Sequence, residues 1–179
     1  MKLYTRHGDT GQTTLVGGKR VMKDDIRIAV CGDLDELNAH IGMLLSFGVP
    51  ERELNVLIRV QQQLFHIGGE LSNPDFAMQS HLTAADIAQL EQCVDTLQKE
   101  TPEPETFVLP GGCTAAAESH VCRTVARRAE LSLAHHLTGV ERVVFHEVVA
   151  HADVEHRLLV SYGTYNGEQI SRNSLAQLE

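Results

Sequence analysis

Apolar residues recur every three or four positions over four long stretches of this chain, with breakers after each. In the first, Leu34, Leu37, Ile41, Leu44 and Leu45 form an i, i+3, i+7 stripe. It predicts a helix from about Asp33, read as its N-cap, to about Ser46, ended by Gly48 and Pro50. The second stretch predicts a helix from about Glu51 to Leu71, with Leu54, Leu57, Ile58, Leu64, Phe65 and Ile67 on its inner face, and Asn73-Pro74 stops it. Thr83-Ala84-Ala85-Asp86 reads as an N-cap and an acidic first turn for a third helix carrying Ile87, Leu90, Val94 and Leu97. The fourth stretch is alanine-rich and predicts a helix from Thr114 to about Leu137, ~36 Å long if fully helical.

The segments between these stretches read differently. Residues 1–29 are polar and glycine-rich, which predicts an ordered loop or a short hairpin rather than a helix. Thr101–Glu105 holds Pro102 and Pro104 and is a linker, and Phe107–Gly112 is a short extended piece with a turn. Past Gly139, the valine-rich segment Glu141–Val149 admits another helix or a strand, and the tail 161–179 is polar and atypical of a packed terminal helix. Helices of similar length joined by short links make an all-α, up-down bundle. At 179 residues the chain suits a single domain, with residues 30–160 as the bundle.

Composition sharpens this picture in three places. Tryptophan is absent and aromatic residues are 4% of the chain, so Leu, Val, Ile and Ala must fill the core. A net charge of −9 argues against general nucleic-acid binding, so any anion site must be a local concentration of Arg and Lys. Lys2, Arg6, Asp9 and Lys19 interrupt any apolar run at the start, and no stretch reaches the ~20 apolar residues a bilayer requires. The expectation is a cytoplasmic protein without membrane contact, in which Cys31, Cys93, Cys113 and Cys122, lacking any C-x-x-C pair, are reduced packing residues.

Three features carry candidate chemistry. The opening stretch Thr5–Thr14 has the glycines and hydroxyls of a phosphate cradle, with Arg6, Lys19, Arg20 and Lys23 as nearby charge. It is not a Walker A loop: the first glycine position before Gly18-Lys19 is Thr13, and Arg20 follows the lysine. By itself it reads better as a Gly/Thr-rich surface turn. Asp35 lies within the first helix between Leu34 and Leu37 and is a solvated carboxylate unless a partner faces it. Arg123, Arg127 and Glu130 stand at i, i+4 and i+7, hence on one helix face. Arginine suits bidentate binding of carboxylate or phosphate, although such a stripe is also common on solvated helices.

Together, in this order, these pieces make the chain resemble the PduO-type corrinoid adenosyltransferases. The matching pieces are Tyr4-Thr5-Arg6-x-Gly8-Asp9-x-Gly11-x-Thr13, Lys23-Asp24-Asp25, Asp35-Glu36-Leu37-Asn38, Gln61 with Leu64–Leu71, Phe107-x-Leu109-Pro110-Gly111-Gly112, and Arg123–Glu130. The resemblance implies a bundle of about five helices that assembles as a homotrimer with active sites between subunits. It implies transfer of the 5′-deoxyadenosyl group of ATP to the cobalt of cob(I)alamin, with release of triphosphate. Reduced cobalt is then the nucleophile, which fits a chain with no convincing catalytic triad. By resemblance Thr5, Arg6, Gly8, Asp9, Gly11, Thr13 and Lys23 wrap ATP, while Arg127, Arg128 and Glu130 reach it from the neighbouring subunit. Mg²⁺ shares the phosphate charge. Asp35 pairs with Arg123 across the interface, and Phe107 occupies the lower face of the cobalamin. A reductase or an adenosylcobalamin-dependent enzyme is the implied protein partner.

The resemblance fades after Glu130. Leu131 stands where the family usually continues with arginine, and the family's Asn-Arg-Leu-Ser-Asp element is replaced by His146–Arg157. Three explanations stay open here: a divergent ending, an altered reading frame near the C-terminus, and a bundle that binds ATP or corrinoid but turns over slowly. His146, His151 and His156 recur at five-residue steps, with His135 and His136 nearby. Steps of five rotate by about 140° on a helix, so the three cannot share a face, which favours surface histidines over a metal site.

Overall fold

A computed structural model describes residues 9–73, 83–100, 110–111 and 113–136. These residues form a two-stranded antiparallel hairpin, β1 (Gln12–Thr14) and β2 (Arg20–Met22), followed by helices α1 (Ile26–Ser46), α2 (Glu51–Leu71), α3 (Ala84–Glu100) and α4 (Thr114–His136). The polar opening is therefore a hairpin from Gln12 to Met22, as its composition suggests, and four of the expected helices stand where their periodicity puts them. Glu141–Val149, the linker Thr101–Glu105, the histidines from His146 onward and the tail 161–179 lie outside the described residues.

The start of α1 corrects the sequence reading. Asp33 is not its N-cap; the helix begins at Ile26, and Asp25, eight residues before Asp33, caps it. The Asp25 carboxylate accepts the Arg27 backbone N–H at 3.0 Å and is gripped by the Arg27 guanidinium at 2.9 and 2.6 Å. That grip holds the Asp25 carboxyl below the usual carboxylate range. Gly32 disfavours this extra stretch by about 1 kcal/mol relative to alanine. The buried row Val30, Leu34, Leu37, Ile41 and Leu44 outweighs it.

On α2 the predicted bounds hold, but Ile58 and Phe65 do not face inward; Phe65 is 70% exposed. Leu57, Val60, Leu64, Ile67 and Leu71 define the buried row. Ile58 and Phe65 each stand one position past a member of that row, about 100° around the helix. At the head of α3, Thr83 Oγ1 accepts the Asp86 N–H at 3.4 Å while the Thr83 N–H donates to Asp86 Oδ2 at 3.0 Å. This is a capping box with aspartate in the acidic place. Asp86 also meets Arg59 of α2 at 2.6 Å, so the cap fastens α3 to its neighbour.

Helix directions follow from pairs far apart in sequence. Asn38 and Gln61 exchange side-chain-to-backbone hydrogen bonds at 3.2 and 3.0 Å, and the Cys31 thiol lies 3.6 Å from the Gly68 carbonyl oxygen. α1 and α2 are therefore antiparallel. His40 meets Glu118 at 2.5 Å near one end of α1, and Asp33 meets Arg128 at 2.8 Å near the other, so α4 also runs against α1. The core is a single cluster of Leu, Val, Ile, Ala and Cys122 from all four helices.

One buried group should make stability depend on pH. His120 on α4 is 8% exposed, and among the described residues neither ring nitrogen has a hydrogen-bond partner. Burial, then the nearby Arg123 charge, lowers its pKa. The folded state thus holds His120 neutral while the unfolded chain protonates it near its ordinary value of ~6.5. Its contribution is present above ~6.5 and is lost as pH falls below that value. Urea unfolding should show wild type losing more stability from pH 7.5 to 5.5 than His120→Gln; equal losses would contradict this.

Candidate functional site

The hairpin is built to present backbone and charge at one end of the bundle. Thr13 pairs with Val21 at its centre, and the Lys23 N–H donates to the Gly11 carbonyl at 2.9 Å to close its base. Gly11 takes φ +78°, a left-handed conformation that side chains disfavour, so the bend at this point requires glycine. At the tip, Leu15 is buried and its N–H donates to the Lys19 carbonyl at 2.8 Å, enclosing a turn in which Gly17 takes φ +80°. The next residue, Val16, donates its N–H to the Ser72 carbonyl at 3.0 Å, which pins the tip to the end of α2. Asp9, Lys19, Arg20 and Lys23 are exposed, and Gly11 and Thr13 are half-buried. Thr5, Arg6, Gly8 and Phe107 lie outside the described residues.

The arginines of α4 divide between two jobs. Arg127 Nη1 donates to Glu130 Oε2 on the exposed face, so two of the three residues assigned to one face do meet there. Arg128 turns toward α1, where its Nε donates to Asp33 Oδ1 at 2.8 Å and its Nη2 donates to Glu36 Oε2. The Asp33 hydrogen bond is the largest influence raising the Arg128 pKa, so this cation is permanently charged. Asp35 is exposed and Arg123 half-buried. Among the described residues neither has an ion-pair or hydrogen-bonding partner, so the Asp35–Arg123 pair is not made within one protomer.

These contacts gather the pieces. Cys31, in the first half of α1, lies 3.5 Å from the Ser72 hydroxyl, and Ser72 also receives the hairpin tip. Arg128 ties the later half of α4 to the same part of α1. The hairpin, Lys23, the first half of α1 and the Arg127–Glu130 stretch thus share one end of the bundle. Backbone N–H groups, lysines and arginines converging there can hold a polyanion. By contrast, a cavity of about 200 Å³ lined by Arg59, Gln63, Asp86 and Gln89 sits between α2 and α3, away from that end. Among the described residues no group of three or more His, Cys, Asp or Glu side chains could hold a metal ion, and no helix is long and apolar enough to cross a membrane.

Sequence reasoning missed the Asn38–Gln61 exchange and the Asp33–Arg128–Glu36 bridge. The first left no signal beyond two polar residues in helices. The second left a faint one: Asp33 and Glu36 are three apart, so they rise on one face of a helix, but only after Asp33 is released from its capping role.

Comparison with known proteins is consistent across sequence and structure. The family model described as cobalamin adenosyltransferase matches residues 3–152. A cobalamin adenosyltransferase of Cupriavidus metallidurans is 45% identical over 133 residues, covering 74% of this chain and 71% of that one. A corrinoid adenosyltransferase of Bacillus subtilis is 42% identical, covering 73% of this chain and 69% of that one. Among solved structures, a variant PduO-type ATP:corrinoid adenosyltransferase from Lactobacillus reuteri, complexed with cobalamin and ATP, superposes with a TM-score of 0.81. It is 27% identical, over 93% of this chain and 91% of that one.

Proposed function

The chain belongs to the cobalamin adenosyltransferase family, and we infer from that membership how its own residues carry out ATP-dependent adenosylation of a corrinoid. In this reaction the Co(I) of cob(I)alamin attacks C5′ of ATP, the Co–C bond forms as the C5′–O bond breaks, and triphosphate leaves with the bonding electron pair. The cobalt is the nucleophile, so the protein's work is to hold ATP, orient C5′ and stabilise charge on the departing triphosphate.

We assign the first part to the hairpin and its approach. Thr5, Arg6, Gly8, Asp9, Gly11, Thr13 and Lys23 enclose the phosphates and ribose, with backbone N–H groups and the Lys23 ammonium on the phosphate oxygens. Arg127, Arg128 and Glu130 of a neighbouring protomer border the same nucleotide, in a homotrimer whose interfaces are the active sites. Mg²⁺ is proposed to arrive on the triphosphate, since this cation usually keeps its waters and binds chiefly through substrate phosphates and one or two carboxylates. Asp35 and Arg123 meet across the interface beside the corrinoid. Residues 1–179 are proposed as one domain that works in the cytoplasm, where the free thiols Cys31, Cys93, Cys113 and Cys122 stay reduced. A reductase supplies Co(I).

The observation that supports this reading is the family match over residues 3–152, beside a hairpin and an Arg128-bearing stretch of α4 that lie at the same level of the bundle. Its test is an anaerobic assay with ATP and chemically reduced cob(I)alamin, read by the visible spectrum. ATP-dependent conversion to adenosylcobalamin is expected, and an unchanged spectrum would contradict the reading. Phe107 is proposed to fill the lower face of the corrinoid, where its ring cannot ligate cobalt and so favours the four-coordinate Co(II) that is easier to reduce. Phe107→Ala should therefore slow the reaction starting from Co(II) far more than that starting from Co(I). Equal slowing would remove this role.

A further inference from the structure

Arg128 is held by one edge. Its Nε and Nη2 donate to Asp33 and Glu36, which leaves Nη1 and the second Nη2 proton facing away from α1. Its side chain is 49% exposed, Glu36 is 47% exposed and Asp33 is 18% exposed, so the bridge lies at the surface. Exposed ion pairs contribute little to stability. Two carboxylates on one guanidinium also leave a local charge of −1, which would repel a triphosphate if charge alone mattered. A bridge that adds little to folding and has the wrong sign for an anion site invites another purpose.

We propose that Asp33 and Glu36 are positioning residues: they fix the Arg128 guanidinium so that its free edge is already aimed at the nucleotide. The proposal rests on the nucleotide being bordered by Arg128, as assigned above. A long arginine side chain loses rotamer freedom when it binds, and the carboxylates remove that freedom before ATP arrives. The sequence marks the arrangement only by an acidic pair three residues apart.

The sign of one measurement separates this from the alternatives. Asp33→Asn with Glu36→Gln removes two negative charges near the anion, so electrostatics alone would tighten ATP binding. Loss of positioning would weaken it, by about fivefold in Kd, the fold-change that ordering one long side chain costs. The measurement is calorimetric titration of ATP into the wild-type protein, the double variant, the milder Glu36→Gln and Arg128→Lys. The expected result is weaker binding in all three variants, with thermal unfolding midpoints close to wild type. Unchanged or tighter binding in the double variant would overturn the proposal, and so would a fall in affinity that only tracks a fall in melting temperature. If the wild-type protein bound no ATP, the nucleotide assignment itself would fail, an outcome distinct from a wild-type protein that binds ATP and a variant that binds it as well.

Discussion

Arg127→Ala should lower kcat/KM for ATP by about 100- to 1,000-fold, the loss that follows when one preorganised donor to a developing negative charge is removed. The substitution separates catalysis from folding. Arg127 is 46% exposed and its only ion pair among the described residues is the local one with Glu130, three residues along the same helix. Such a pair stabilises a helix by a few tenths of a kcal/mol, so the fold and its assembly should be untouched. Arg127→Lys keeps the charge but not the planar fork, and should recover only part of the lost rate. Circular dichroism together with steady-state kinetics checks both halves. A folded Arg127→Ala protein with wild-type kinetics would reject the role given to this residue.

A comparable loss is expected on reversing either charge of the Asp35–Arg123 pair. Within one protomer Asp35 projects into solvent and Arg123 is half-buried, and among the described residues neither has a partner. Once an interface covers them, each would be a charge that must be neutralised. Stranding one member of a buried pair typically costs ~3–5 kcal/mol. Asp35→Arg and Arg123→Asp should therefore each abolish adenosylation and weaken the proposed trimer. Combining the two restores opposite charges, and should bring back part of both the activity and the assembled mass seen by analytical ultracentrifugation. If the double variant were as poor as the worse single one, the two residues would not face each other.

Much of the fold is legible in the sequence, because helix periodicity is a strong signal where the buried row is aliphatic. Leu34, Leu37, Ile41 and Leu44 on α1 and Leu90, Val94 and Leu97 on α3 are buried as their spacing requires. Boundaries are legible where punctuation is sharp: Asn73-Pro74 after α2 and the Thr83/Asp86 box before α3. The start of α1 is not. Its first turns carry β-branched residues and Gly32, while Asp33 resembles a cap and Asp25 is inconspicuous until Arg27 is seen gripping it. Phe65 misleads for a related reason, since an aromatic next to a buried leucine is read as core although the helix has turned it outward.

The site is legible as a set of pieces but not as a geometry. The glycines of the opening loop and the arginines of α4 stand out as anion-binding chemistry. That they share one end of the bundle depends on Val16 docking on Ser72 and Arg128 bridging to α1, contacts between residues 56 and 95 positions apart. Local patterns carry no information about such pairs. The departure from the family pattern after Glu130 falls almost wholly outside the described residues, while the family model extends to residue 152.

The central claim is that two protomers build one nucleotide site, the loop from one and the arginines from the next. Lys23→Ala spoils the loop half and Arg127→Ala the helix half, so each protein alone should be nearly inactive. Mixing them in equal amounts under conditions that allow subunit exchange should restore about a quarter of the interfaces to an intact pair of halves. Cob(I)alamin-dependent activity should rise accordingly, toward about a quarter of wild type. A mixture no more active than its separate components, despite demonstrated exchange, would mean that each protomer holds its nucleotide alone.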